Sequence, residues 1–225
     1  MQILKTILWP LMVGLEAALA LFYSLTGSYG LSIICLSLLV SIALLPVSAQ
    51  AMRMEAKDKN RLDLMAPKLA EIRAQYTGQE RFERIDEVYQ QHSYHPIKST
   101  VSLLPLLIQL PFLLAALFML SDYPPIQGRP FLIIPDLSEP DHLLQLPGLA
   151  VNVLPIALVG VALTEAWLRK GSTAQSRRRF QIVSLVILVL IYPAPSGVCL
   201  YWFTSTCFSF VRAVFARIQF AALRH

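Results

Sequence analysis

Few side chains here have the chemistry for catalysis, and those that do are scattered. His92 and His95 have the spacing of a metal-binding pair, but no third ligand stands near them. Cys35, Cys199 and Cys207 lie inside apolar runs, with no CxxC and no Cys/His cluster, so neither a disulfide framework nor a metal centre follows. Asp136, Glu139 and Asp141 could meet a divalent cation. Pro135 and Pro140 flank them and no second acidic cluster supports them, which favours a solvated, turn-rich loop. No P-loop, dinucleotide fingerprint, HExxH or paired-aspartate motif is present. The expectation is a protein with no catalytic residue, no metal and no cofactor.

The remaining chemistry is polar groups placed within apolar runs. Ser37, Ser41 and Ser48 share one helical face at spacings of four and seven; Gln109 stands mid-run; Thr164 and Glu165 close another run; Thr204, Ser205, Thr206 and Ser209 occupy the last. Two readings fit them. Small hydroxyls let membrane helices pack closely, or the groups together line a hydrophilic recess; Gln109, an amide at mid-run, points more to the recess.

The elements that must position these groups follow from composition. The chain has 225 residues, of which 56% are hydrophobic and 15% charged, with a mean hydropathy of +0.57; a soluble domain carries about 25% charged residues. This excludes a soluble globule, collagen and a disordered chain, and predicts an all-α polytopic membrane protein. Five core spans are expected, at 30–49, 101–120, 149–168, 180–193 and 195–211. The last two are joined by a tight turn through Pro193, Pro195 and Gly197. The 180–193 run is short, roughly 21 Å as a helix, which requires a thinned bilayer or snorkelling arginines. The segment 7–25 is weakened as a span by Pro10, Gly14 and Glu16 and lacks the marks of a clear signal peptide. It reads as an interfacial or partly inserted helix.

Basic residues set the orientation. The loop 51–98 holds nine Lys/Arg, the stretch 169–179 five and the tail from 212 three, whereas 121–148 has only Arg129 against four acids. The positive-inside rule places the 51–98 loop and the C-terminus in the cytosol. The pI of 9.2 thus belongs to topology and requires no nucleic acid. The resulting plan is an N-terminal helix at 1–27, a first core span within 28–50, a cytosolic loop at 51–98, four further spans within 99–217, and a cytosolic tail at 218–225. In the loop, Leu62, Met65, Leu69, Ile72 and Tyr76 form a stripe with heptad spacing. Thr77-Gly78 breaks it, and Phe82, Ile85 and Val88/Tyr89 form a second. Two amphipathic helices closing as a hairpin are expected; a solvated helical linker is the alternative. With these depths, polar groups concentrate towards the cytosolic half of the bilayer, which suggests a recess open on that side.

Four stretches then resemble one family. Residues 104–112 (LPLLIQLPF) resemble the P-x-L-x-Q-x-P-[IF] run of the YidC/Oxa membrane protein insertases, and 135–141 (PDLSEPD) their D-L-S-x-x-D outer loop. Residues 195–202 (PSGVCLYW) resemble their P-S-G-x-x-L-Y-[YW] entry to the last helix, and 29–34 (YGLSII) the start of their first core helix. The likeness runs from about Pro10 to Arg217. It implies five core spans, a cytosolic hairpin after the first, and insertion of newly made membrane proteins without nucleotide hydrolysis at a bacterial cell membrane. It implies nascent or newly made membrane proteins as partners, and possible contact with a ribosome or translocon. Ser37, Ser41, Gln109, Thr204 and Thr206 are then expected to line a groove, with Trp202 and Tyr201 as the apolar rim on which a client slides. Met65, Leu69, Ile72, Phe82 and Ile85 are expected in the hairpin that first meets clients. Two departures stand out. Ser41 falls where the family commonly has a groove arginine, and the interval from Pro96 to Pro105 is longer than usual. No segment is long enough for the large extracytoplasmic domain of many Gram-negative members. A small transporter or channel subunit is the alternative from another class; a lipid enzyme is disfavoured by the missing acid/base pairs.

Overall fold

The structure, a computed structural model, describes residues 2–92, 94, 104–168 and 174–222. Its helices are α1 (Gln2–Thr26), α2 (Tyr29–Ala43), α3 (Leu45–Gln75), α4 (Gly78–Gln91), α5 (Leu104–Ser121), α6 (Val153–Leu168), α7 (Ala174–Ile191) and α8 (Ser196–Ala222). A short antiparallel hairpin, β1 (Leu144–Leu146) and β2 (Leu149–Val151), turns at Gly148 and precedes α6. His95, Pro96 and the expected inner end of the second span at 101–103 lie outside the described residues.

The chain forms two units: Ala43–Leu110, and Met1–Ile42 with Pro111–His225. In the first of these, α3 and α4 close as the expected hairpin. Gly78 takes a φ of +62°, which glycine adopts without steric cost. Met65, Leu69, Ile72, Val88 and Tyr94 are buried together, with Leu62, Tyr76, Ile85 and Tyr89 packed around them. Each fully buried apolar side chain contributes about 1.5–3 kcal/mol, which decides between a hairpin and a solvated linker. Phe82 is the exception to the second stripe. It is 67% exposed, and the Tyr76 ring beside that turn is covered by the Arg84 guanidinium at 4.1 Å, itself bonded to Glu80.

In the other unit, α6 packs between α7 and α8 around Leu158, Val159, Ile191 and Cys199. Helix α7 presents Ile182, Leu185, Val186, Val189 and Leu190 outwards at helical spacing, the pattern of a face meant for lipid.

Several boundaries differ from expectation. The apolar run at 30–49 is not one helix: it breaks at Leu44, because Pro46 in the first turn of α3 has no N–H to continue the ladder. Helix α3 then runs on without interruption into the charged hairpin, so the hairpin's first arm starts before residue 51. Residues 149–151 pair as a strand and α6 begins only at Val153, shortening the third run. The apolar part of α7 is Gln181–Ile191, about 16 Å as a helix and shorter still than 180–193. Helix α8 continues through Ala222, into the expected tail. Among the described residues, two helices can cross a membrane by length and composition, α1 and the Ser196–Phe215 part of α8. A third is added if α2 and the start of α3 act as one broken span.

Helix α1 runs through Pro10 for 25 residues, longer than 7–25. It ends on Gly27, whose N–H donates to the Tyr23 carbonyl at a φ of +66°. Lys5 Nζ donates to Asp122 at 2.6 Å, while Tyr123 meets Tyr29 edge-on and Tyr29 stacks on Tyr23 at 3.9 Å. Lys5 and Tyr23 are about 27 Å apart along a helix. The end of α5 and the residues after it thus meet Lys5 near the start of α1 directly and Tyr23 near its end through Tyr29. Burial, and then nearby Tyr29 and Glu16, push the Tyr123 phenol pKa up, consistent with mid-helix Glu16 facing the same place.

Candidate functional site: the α2–α8 seam and its loop clamp

The polar residues of α2 find their partners on α8. Ser37 Oγ donates to the Tyr201 carbonyl at 2.6 Å, and Ser41 Oγ and Ser205 Oγ lie 3.1 Å apart. One turn earlier, a Cβ added to Gly197 would stand 3.3 Å from Ile33 Cδ1. All three pairs have a sequence offset of 164 residues, so α2 and α8 run parallel and in register. A glycine and three serines at the contact permit this close approach, and each hydroxyl bond across a membrane interface contributes about 0.6–1.7 kcal/mol.

The seam gathers only part of the expected set. Ser37 is buried and Ser41 half-buried, both on the seam, and Ser205 completes it. Thr204 and Thr206 bond the Leu200 and Trp202 carbonyls of their own helix, and residues two apart point about 200° from each other on a helix, so they serve different faces. Tyr201 is only 1% exposed, whereas Trp202 is half-buried against the α6–α7 cluster. Gln109 is half-buried in the unit that holds the hairpin. Ser205 was visible as a polar residue of the last run; its spacing of eight from Gly197 is the signal that singles it out.

The acidic loop is a clamp on helix ends. The Asp136 carboxylate accepts the Ser138 N–H and hydroxyl at 2.8 Å and the Gly128 N–H at 3.0 Å. Burial works to raise its pKa, but those three donors outweigh burial and hold it below the usual carboxylate range. The Leu137 and Glu139 carbonyls accept the Gly197 and Ser196 N–H groups at 2.8 and 2.7 Å, and the Ser196 hydroxyl also donates to Glu139. Asp141 accepts the Leu154 N–H, while Asn152 accepts from the His142 N–H and donates to the Tyr192 carbonyl. The loop thus satisfies orphan donors at the starts of α6 and α8. Among the described residues no group of three His, Cys, Asp or Glu could hold a metal ion.

Comparison with known proteins gives a consistent picture. The family described as 60Kd inner membrane protein matches residues 21–222. A membrane protein insertase YidC of Fusobacterium nucleatum subsp. nucleatum is 28% identical over 193 residues, covering 84% of this chain and 86% of that protein. YidC 1 of Streptococcus pyogenes serotype M6 is 27% identical, covering 91% of this chain and 72% of its own. The YidC of Endomicrobium trichonymphae is 25% identical over 88% of this chain, but the chain spans only 37% of that relative's length. Among solved structures, an active YidC insertase with its first transmembrane domain resolved matches with a TM-score of 0.61 at 20% identity, over 92% of this chain and 45% of that one. With nine-tenths of its length matched, this chain belongs to the 60Kd inner membrane protein family.

Proposed function

We propose that the protein inserts newly made membrane proteins into a bacterial cell membrane, with its C-terminus and α3–α4 hairpin in the cytosol. The observation that carries the reading is the line of hydroxyls down the α2–α8 seam, within a chain whose similar relatives of comparable length are named membrane protein insertases. A client segment of twenty apolar residues gains about 6–12 kcal/mol on entering lipid, while each charge carried across costs about 2.5–3.5 kcal/mol. The balance is favourable without nucleotide hydrolysis if the barrier to the polar tail is lowered. Ser41 and Ser205 offer polar atoms along that path, Thr204 or Thr206 adds to it according to which face of α8 lines it, and the short apolar length of α7 favours a locally thin bilayer. Buried Tyr201 leaves the rim to Trp202. Helix α1, tied near its start to Asp122 by Lys5 and near its end to Tyr29 by Tyr23, is read as lying at the interface. The exposed Phe82 and Leu64 make the hairpin a fitting first contact for clients.

The test is reconstitution. Purified protein in liposomes, given a single-span client with a polar tail, protects the tail from added protease without ATP or GTP. Ion flux in the absence of client, with no protection, would favour the transporter reading instead.

A further inference from the structure

We propose that the Leu132–Ile133 turn is a lipid anchor, inserted in the leaflet at the end of the bundle where α2 and α8 begin. Phe131 and Ile134 exchange both backbone hydrogen bonds at 2.9 Å, which closes a two-residue turn with Leu132 and Ile133 at its tip. Those two side chains are 86% and 77% exposed. Leu132 has a φ of +53°, a conformation that such turns normally give to glycine or asparagine. Two apolar side chains are thus presented outwards from a turn position that normally selects a small or polar residue, and water penalises that exposure.

The surroundings identify the occupant. The Phe131 ring lies so close to α2 that a Cβ on Gly30 would be 2.0 Å from its Cγ, which fixes the turn to the first residues of α2. The neighbouring residue, Tyr29, belongs to the ring cluster with Tyr23 and Tyr123. Tyrosines concentrate at the membrane–water boundary, so the turn is tethered at that level. Exposed Arg129 precedes it by two residues and suits a lipid phosphate. Two apolar side chains beside an aromatic belt, with a cation behind them, match the acyl–headgroup boundary. Just beyond the turn, residues 137 and 139 hold the start of α8, so an anchored tip also ties the seam to the bilayer surface.

The experiment uses the full chain in liposomes of phosphatidylethanolamine and phosphatidylglycerol. A nitroxide on Ile133→Cys, with Cys35, Cys199 and Cys207 changed to alanine, should give an oxygen-to-nickel-complex accessibility ratio several-fold above the same label on Gln145→Cys. A ratio equal to that of Gln145, or shielding from both reagents as under a bound protein, would overturn the proposal. Because the cysteine replacements touch one buried and two half-buried sites, Ile133→Trp in the unaltered background gives an independent reading. Shallowly brominated lipid should quench its added fluorescence and aqueous iodide should not; the reverse would overturn the anchor.

Discussion

The hairpin and the α2–α8 seam both pair two helices, yet they are built on opposite principles. In the hairpin, large apolar side chains at heptad spacing come off water and fill the space between α3 and α4. In the seam, small groups let the backbones approach while hydroxyls bond across. The first kind of contact tolerates conservative change; the second depends on single atoms. The largest effect should therefore come from filling the seam. Gly197→Leu would push a side chain into the Leu137 carbonyl, 3.0 Å from the position of a Cβ, and into Ile33. Overpacking costs about 1–3 kcal/mol, and here it also breaks the clamp, so the protein should largely disappear from membranes in an abundance blot. Normal abundance would show that the seam is looser than described.

The hairpin should fail differently. Replacing residues 57–90 by a short flexible linker should leave a membrane-integrated protein that inserts clients poorly, measured as protease protection against abundance. Loss from the membrane would contradict the division between the two regions.

A smaller and more selective change is expected at Ser41. It is half-buried and its hydroxyl lies 3.1 Å from that of Ser205, so Ser41→Arg replaces a neutral pair by a cation. A charge-assisted contact contributes about 1.5–3 kcal/mol, enough to raise insertion of acidic-tailed clients several-fold over neutral ones at normal abundance. An unchanged ratio at normal abundance would remove Ser41 from the client path.

The smallest effect concerns pH. The pKa of Asp136 is lower folded than unfolded, so its contribution is present above the unfolded value and is lost as pH falls through the folded one, below the usual carboxylate range. Amide protection at Gly128 and Ser138 should hold at neutral pH and fall only in strong acid. Asp136→Asn should lower it at all pH values, because its amide nitrogen cannot accept the Gly128 N–H.

What the sequence made legible follows the same division. The stripe from Leu62 to Tyr76 announced the hairpin because burial in water leaves a periodic record, whereas Phe82 has the spacing of the second stripe and is nevertheless exposed. The turn before α8 was readable from Pro193, Pro195 and Gly197. The seam was half readable: Ser37 and Ser41 share a face by spacing, but that they meet Tyr201 and Ser205 depends on the fold. That Thr204 and Thr206 face different ways was already implied by helical geometry. The clamp was hidden because backbone carbonyls such as those of Leu137 and Glu139 carry no sequence signal. The break at Leu44 was signalled by Pro46, inside a run whose hydropathy masked it.

The most direct test of the insertase reading is site-specific photocrosslinking from position 109 in native membranes to a ribosome-stalled membrane protein. The account predicts an adduct with the client's polar tail and first apolar segment, and none from exposed Gln145. No adduct from position 109 at any stalled length, with the protein at normal abundance, would contradict it.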